Sequence, residues 1–232
     1  MQDTGTWHLR EAEAGTDDTT IAQVMVEYLE WAHVRLLELY GVDHPPTDPH
    51  LVSQSLPELR RPHGVLLLAE CDGRPAGIGA LRRLSPDVAE VRRMYVVPTF
   101  RGRHISSAIL DRLIAEARAM GARTLRLDTC RFMSDAQRLY RSRGFEERGP
   151  YEGSEIPARL DRHWIYFERG LDGDVVHFGL EDPLEIAVLH GLLGLKGRNI
   201  SASAPSGARL TETVRRCTAG ARWCRHDHAR IG

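Results

Sequence analysis

Lysine is almost missing from this 232-residue chain: of its 31 basic residues Lys196 is the single lysine and the rest are arginine. The arginines are spread over the whole length instead of gathering where a carboxylate or phosphate would be gripped by two N–H groups, so the bias reads as composition, not function. Cysteine is scarce. Cys71, Cys130, Cys217 and Cys224 are too few and too scattered for a disulfide framework, and a reducing, cytoplasmic setting is expected. Net charge is also missing: 31 basic against 32 acidic residues leave −1, which removes a whole-chain attraction to nucleic acid or anionic membrane. No long apolar run occurs. The longest, from Ile186 to Leu195, carries His190 and falls short of the roughly 20 residues that span a bilayer. The first residues show no basic stretch followed by an apolar core, so no secretory leader is expected.

What is present is a 42% hydrophobic, 27% charged globular composition. Thr6–Arg10 reads as a strand, and Asp17 as the N-cap of a helix from Ile21 to Tyr40 that Gly41 stops and that has room for a kink. A proline-rich loop from Asp43 to Pro49 and a short helix from Leu51 to Arg60, interrupted near Pro57, follow. The apolar period then changes from 3.6 to 2. Val65–Glu70 and Ala76–Leu84 are strands joined at Cys71-Asp72-Gly73, a hairpin signal, and Ala89–Val97 is a third. Ile105, Ala108, Ile109, Leu113, Ile114 and Ala117 form a helical stripe ended by Gly121. A strand through Leu125, Leu127 and Thr129, a helix through Ala136, Leu139 and Tyr140 closed by Gly144, and strands from Phe145 and over Trp164–Leu171 complete the order. That order predicts an α+β fold, a mixed and mainly antiparallel central sheet flanked by helices on both faces. Residues 1–171 are expected to form the domain. Residues 172–232 form an extension with a helix over Pro183–Leu195, an aperiodic stretch from Gly194 to Gly207, a short helix over Thr211–Arg216 and a basic tail.

Chemistry concentrates in VRRMYVVPTFRGRHISSAIL, Val91–Leu110, where a strand ends at Pro98, a tight Arg101-Gly102 turn follows and a helix starts at once. The first N–H groups of a helix have no intrahelical partner and lie at the positive end of its dipole, so a pyrophosphate fits there, with Arg101 and Arg103 as added donors.

At these residues the chain resembles the GNAT superfamily of N-acetyltransferases, whose motif positions Arg/Gln-x-x-Gly-x-Gly/Ala read here Arg101, His104 and Ser106, a match at the arginine and departures at the other two. MYVVPTFRG, SSAILDRLIAEARAMGA, TLRLDT, AQRLYRSRGF and the Pro150-Tyr151 loop match in order and spacing over about Val65–Leu171. The resemblance implies acetyl-CoA as co-substrate, held by Arg101, Gly102, Arg103, His104, Ile105, Ser106 and Ser107, with backbone groups of Met94, Tyr95 and Val96 on the pantetheine arm. It implies Tyr140, a phenol protonated at neutral pH, as the proton donor to the leaving thiolate, and Glu90 as the base. A bulge in the Glu90 strand would change which side chains face the cleft. His104 and Ser106 replace glycines; if position 104 needs positive φ, histidine is one of the less costly substitutes.

The implied reaction is direct transfer to a primary amine of a small molecule or protein, in a ternary complex. A non-catalytic acetyl-CoA-binding module on the same fold, motivated by His104 and Ser106, is the first alternative. The second is nucleic-acid binding through Arg215, Arg216, Arg222, Arg225 and Arg230. Cys130 near the cleft reads as a buried filler, not a nucleophile. Cys217, Cys224, His226 and His228 do not match paired-finger spacing, so no metal is expected. Loop carboxylates Glu152 and Glu155 read as facing water. No membrane partner is expected, and a homodimer is compatible with the sequence.

Overall fold

A computed structural model describes residues 6–43 and 46–171. The expectations for the C-terminal extension, its helices, cysteines and basic tail, lie outside the described residues. In chain order the elements are β1 (Trp7–Glu11), α1 (Asp18–Tyr40), α2 (Pro49–Ser55), a 3-10 turn (Leu56–Leu59), β2 (Gly64–Cys71), β3 (Arg74–Ser85) and β4 (Val88–Val96). A 3-10 turn (Pro98–Phe100), α3 (Ile105–Ala119), β5 (Thr124–Cys130), α4 (Ser134–Ser142), β6 (Glu146–Arg148), a 3-10 helix (Ala158–His163) and β7 (Trp164–Gly170) follow. Among the described residues no helix is long and apolar enough to cross a membrane.

The strands form one sheet ordered β1-β2-β3-β4-β5-β7-β6. Every neighbouring pair is antiparallel except β4 and β5. The hairpin after β2 has the conformation its Asp-Gly demands: Asp72 and Gly73 both take positive φ, 51° and 72°, and their twist suits adjoining antiparallel strands. Alternation along β2 sends Val65, Leu67 and Ala69 into a core under α3 and α4, and Leu66 and Leu68 into a second core with Ile21 and Met25 of α1 and Val52 of α2. Both sheet faces are therefore covered.

Helix α1 runs unbroken for 23 residues and ends where Gly41 adopts φ 63° and donates to Leu37 O at 3.0 Å. Asp17 occupies the expected N-cap position but makes no side-chain cap bond. Its carboxylate instead accepts from Arg10 Nη1 at 2.6 Å and Glu13 N at 2.7 Å, tying the helix start to β1, and the guanidinium holds its pKa below the ordinary value.

Two irregularities open the sheet at the site. In β4, Arg93 and Met94 oppose the single residue Gly79 of β3, since Ile78 pairs with Tyr95 but Ala80 with Arg92. This is a β-bulge with Arg93 at φ 53°. Beyond it the alternation is shifted: Val91 belongs to the α3-side core, yet Met94 and Val96 also pack there while Tyr95 joins the α1 side. Gly79 matters because a Cβ there would stand 2.3 Å from Ile109 Cγ2 of α3. Second, β4 and β5 pair only through Val88–Glu90 and Thr124–Arg126. Their pairing stops well before Val96 and Cys130, leaving the strands parted and the β4 edge without a strand partner there.

Candidate active site

A cleft of about 450 Å³ lies at this parting. Tyr28 and Trp31 of α1 form one wall, Met94, Tyr95 and Val96 of β4 the floor, and Phe132 to Ala136 with Leu139 and Tyr140 the other wall. Its mouth is the turn Phe100–Gly102 and the start of α3, His104–Ser106. Of the residues the sequence singles out, Met94, Tyr95, Val96, Arg101, Gly102, His104, Ile105, Ser106 and Tyr140 line this one cleft, whereas Glu90, Arg103 and Ser107 do not.

The turn is built by left-handed backbone. Gly102 has φ 79° and nothing within 4 Å of the Cβ it lacks, so glycine is suited there by conformation and not by crowding. His104 also takes positive φ, 61°, directly before Ile105 opens α3. The residue replacing the motif glycine therefore keeps the conformation a glycine would take, at a strain cost of about 1–2 kcal/mol. Behind it the N–H groups of Ile105, Ser106 and Ser107 belong to the first helical turn, where α-helical partners are missing. Arg101 folds back over the cleft. Its Nε donates to Val96 O at 3.2 Å and its guanidinium lies 5.7 Å from the Trp31 ring centroid and 5.9 Å from that of Tyr95. Arg103 turns the other way, to Cys71 Sγ at 3.5 Å and over the Phe100 ring.

Tyr140 is 6% exposed, packed against Phe145 and Phe167 at 6.0 and 5.9 Å between ring centroids. Burial, reinforced by Tyr28 and Asp128, pushes its pKa up, so the phenol keeps its proton. Burial and then Asp128 push the Cys130 thiol up to about 12, which leaves no thiolate for a covalent route near neutral pH.

Glu90 is 1% exposed and already engaged. It accepts from Arg82 Nε at 2.8 Å and from the Tyr151 hydroxyl at 2.8 Å. The carboxylate that stands out is one that the sequence reading passed over, Asp128 on β5. Burial first, and then the charge of Glu90, raise it to about 6, against the lowering influence of Arg92, Arg93 and Ser154. Tyr151 and Ser154 hydroxyls reach it only at 3.5 Å. The available signal was alternation: Leu125 and Leu127 enter the α3-side core, so Asp128 faces the opposite, α1 side. Among the described residues no three His, Cys, Asp or Glu converge as a metal site.

Comparison with known proteins agrees with this geometry. Residues 29–145 match the model of the acetyltransferase (GNAT) family. A protein of Azospirillum brasilense named IAA acetyltransferase is 33% identical over 135 residues, covering 58% of this chain and 84% of that protein. Among solved structures, an acetyltransferase from Streptococcus agalactiae superposes with TM-score 0.57 at 18% identity, over 71% of this chain and 98% of its own. An acetyltransferase from Salmonella typhimurium, solved with its cofactor acetyl-CoA, gives 0.53 at 18% identity, over 72% and 95%. With the parted strands, the left-handed turn and the matched residues together, the chain belongs to the GNAT family of acetyltransferases.

Proposed function

We propose that the protein transfers the acetyl group of acetyl-CoA to a primary amine by direct attack in a ternary complex. One observation carries the reading: a single cleft has backbone donors of a helix N-terminus at its mouth and a buried, protonated phenol, Tyr140, in its wall. The donor set suits acetyl-CoA. Ile105, Ser106 and Ser107 would hold the pyrophosphate through their N–H groups, and the β4 edge at Met94–Val96 would pair with the amides of the pantetheine arm. Arg101 would add charge at the mouth, and Gly102 and His104 set the turn. Arg103 is assigned a supporting part, packing the turn onto Phe100. Bound acetyl-CoA supplies an acetyl thioester.

The acceptor nitrogen forms a bond to the carbonyl carbon while the carbon–sulfur bond breaks and its electron pair goes to sulfur. Tyr140 passes its proton to that sulfur. The dry wall that raises the phenol pKa raises the leaving thiol in the same sense, so the thiolate's demand for a proton grows with burial. For the proton lost by the amine, Asp128 is the better candidate than Glu90. Glu90 is committed to Arg82 and Tyr151, which supports a positioning part: after burial, its charge helps raise Asp128 to about 6. Turnover is read as thiol release from acetyl-CoA over a panel of amines. Tyr140→Phe is expected to lower kcat by about 10²–10³-fold with the acetyl-CoA Kd nearly unchanged. An unchanged kcat would remove Tyr140 from the mechanism, and no binding of acetyl-CoA at millimolar concentration would remove the function.

A further inference from the structure

The arginines upstream of the cleft are arranged in a way that sheet building does not require. The bulge in β4 turns two consecutive residues, Arg92 and Arg93, onto one carboxylate, that of Glu155, and holds Arg93 at φ 53°, a conformation that side chains other than glycine take at a cost. The Arg92 side chain is only 9% exposed, and a desolvated guanidinium needs an anion. Burial, followed by Arg93, pulls the Arg92 pKa down to about 10. Glu90 stands 3.8 Å from it but already serves Arg82 and Tyr151.

The anion that answers this need comes from outside the sheet. Glu155 takes both terminal nitrogens of Arg92 in a fork, with Arg93 at 3.3 Å and Arg82 at 3.5 Å. Three guanidiniums converge on one carboxylate. Yet Glu155 is 48% exposed and sits in the irregular segment between β6 and the 3-10 helix at Ala158, in no helix or strand. The receptor is built into the sheet and its occupant hangs on a loop. With Glu155 withdrawn, the ion pairs left to Arg82 and Arg92 among the described residues are both with Glu90, so three guanidiniums are set against one shared carboxylate.

The arginine cluster stands beside the cleft, although none of Arg82, Arg92, Arg93, Asp128 and Glu155 lines it. Arg93 directly precedes Met94, a lining residue. Tyr28, also lining, feels Cys130, Arg93, Asp128 and Arg92 electrostatically, and Tyr140 in turn feels Tyr28 and Asp128. An acceptor reaching Tyr140 past Tyr28 therefore has Asp128 and the arginines within electrostatic range.

We propose that Arg92 and Arg93, with Arg82, form a carboxylate subsite, that the acceptor is a small amine bearing a carboxylate, and that Glu155 occupies the subsite until the acceptor displaces it. The substrate class rests on the acetyl-transfer reading; the anion subsite itself does not. Binding places the acceptor carboxylate on the Arg92–Arg93 fork and leaves its amine toward Asp128 and Tyr140.

Two measurements on the full chain test this. In the first, thiol release is compared for matched pairs: glycine, β-alanine, γ-aminobutyrate and phenylalanine against their carboxamides. At least one acid is expected to exceed its amide about 10- to 100-fold in kcat/KM, and Arg93→Gln, chosen because Arg93 is more exposed than Arg92, is expected to erase that ratio. Glu155→Gln is expected to lower KM for the acid and not for the amide. Equal use of acid and amide, or a Glu155→Gln loss shared equally by both, would overturn the substrate class while leaving acetyl transfer standing. In the second, propionate is titrated calorimetrically into the protein without acetyl-CoA. Glu155→Gln is expected to bind it about tenfold more tightly than the parent, and Arg93→Gln not at all. Propionate binding without turnover of any amine would keep the subsite and refute the enzyme; no propionate binding to Glu155→Gln would refute the subsite.

Discussion

Asp128→Asn separates the two parts assigned to this carboxylate, because the structure expects the change to harm activity and help stability. In the folded protein the Asp128 carboxyl is raised to about 6 from its ordinary 3.8, chiefly through burial and then Glu90. The folded state thus binds more protons than the unfolded chain between about pH 4 and pH 6, and stability falls as pH rises through that window. Above it the full cost of about 3 kcal/mol applies, from roughly two pKa units at 1.36 kcal/mol each. Asparagine is isosteric and escapes this cost. It weakens the 3.5 Å contacts from Tyr151 and Ser154, which offsets about 1 kcal/mol. The variant should therefore be about 1–2 kcal/mol more stable than the parent at about pH 8, with the gap about 1 kcal/mol smaller at about pH 5, read from urea denaturation midpoints. In thiol-release assays kcat/KM should fall about 10²–10⁴-fold, and the rise in parental rate through about pH 6 should vanish. The groups around Asp128 that move this limb are Glu90, Arg92, Arg93, Tyr28, Cys130, Tyr140, Tyr151, Ser154 and Tyr166. A variant less stable at high pH, or one retaining the limb near 6, would refute the assignment.

Other perturbations follow from the same geometry. His104→Gly removes the left-handed strain at φ 61° but adds freedom to the unfolded chain, so a net gain of about 0.5–1 kcal/mol is expected by thermal unfolding, with the acetyl-CoA Kd changed less than about threefold; a large affinity change would mean that the imidazole itself contacts the ligand. Gly79→Val places a side chain 2.3 Å from Ile109 Cγ2 and should cost about 1–3 kcal/mol or more, seen as a lower denaturation midpoint. Arg101→Ala should weaken acetyl-CoA binding about tenfold and make it less salt-sensitive, because a cation at the mouth is lost; calorimetry at two ionic strengths checks both.

Local rules made much of this fold readable. The 3.6-residue stripe of α3, the Asp72-Gly73 turn and the stop at Gly41 each express a residue's own preference, and tertiary packing does not oppose them. The turn at Arg101–Ser106 was legible for the same reason: a strand end, a glycine and a helix start are neighbours in sequence. What escaped depends on distant partners. Nothing in Glu146–Arg148 and Trp164–Gly170 says that β7 slips between β5 and β6. The bulge carries arginine where glycine would have announced it, and its consequence, two arginines on one carboxylate, needs the loop at Glu155 to be seen. Glu155 reads as a loop carboxylate facing water, and it is 48% exposed, but it also pairs with Arg92 of the sheet. The family resemblance implies Glu90 as the base, and it does not reveal the partners Arg82 and Tyr151, which are eight and 61 residues away and engage that carboxylate. The even spread of arginine hid the grouping of Arg82, Arg92 and Arg93 around the Glu155 carboxylate.

The most direct test of the central claim is thiol release from acetyl-CoA by the 232-residue chain, followed against time with the amine panel and compared between the parent and Tyr140→Phe at equal, demonstrated acetyl-CoA occupancy. The account requires amine-dependent release by the parent and a loss of about 10²–10³-fold in the variant. Release that does not depend on added amine, or that proceeds equally without the phenolic hydroxyl, would contradict it.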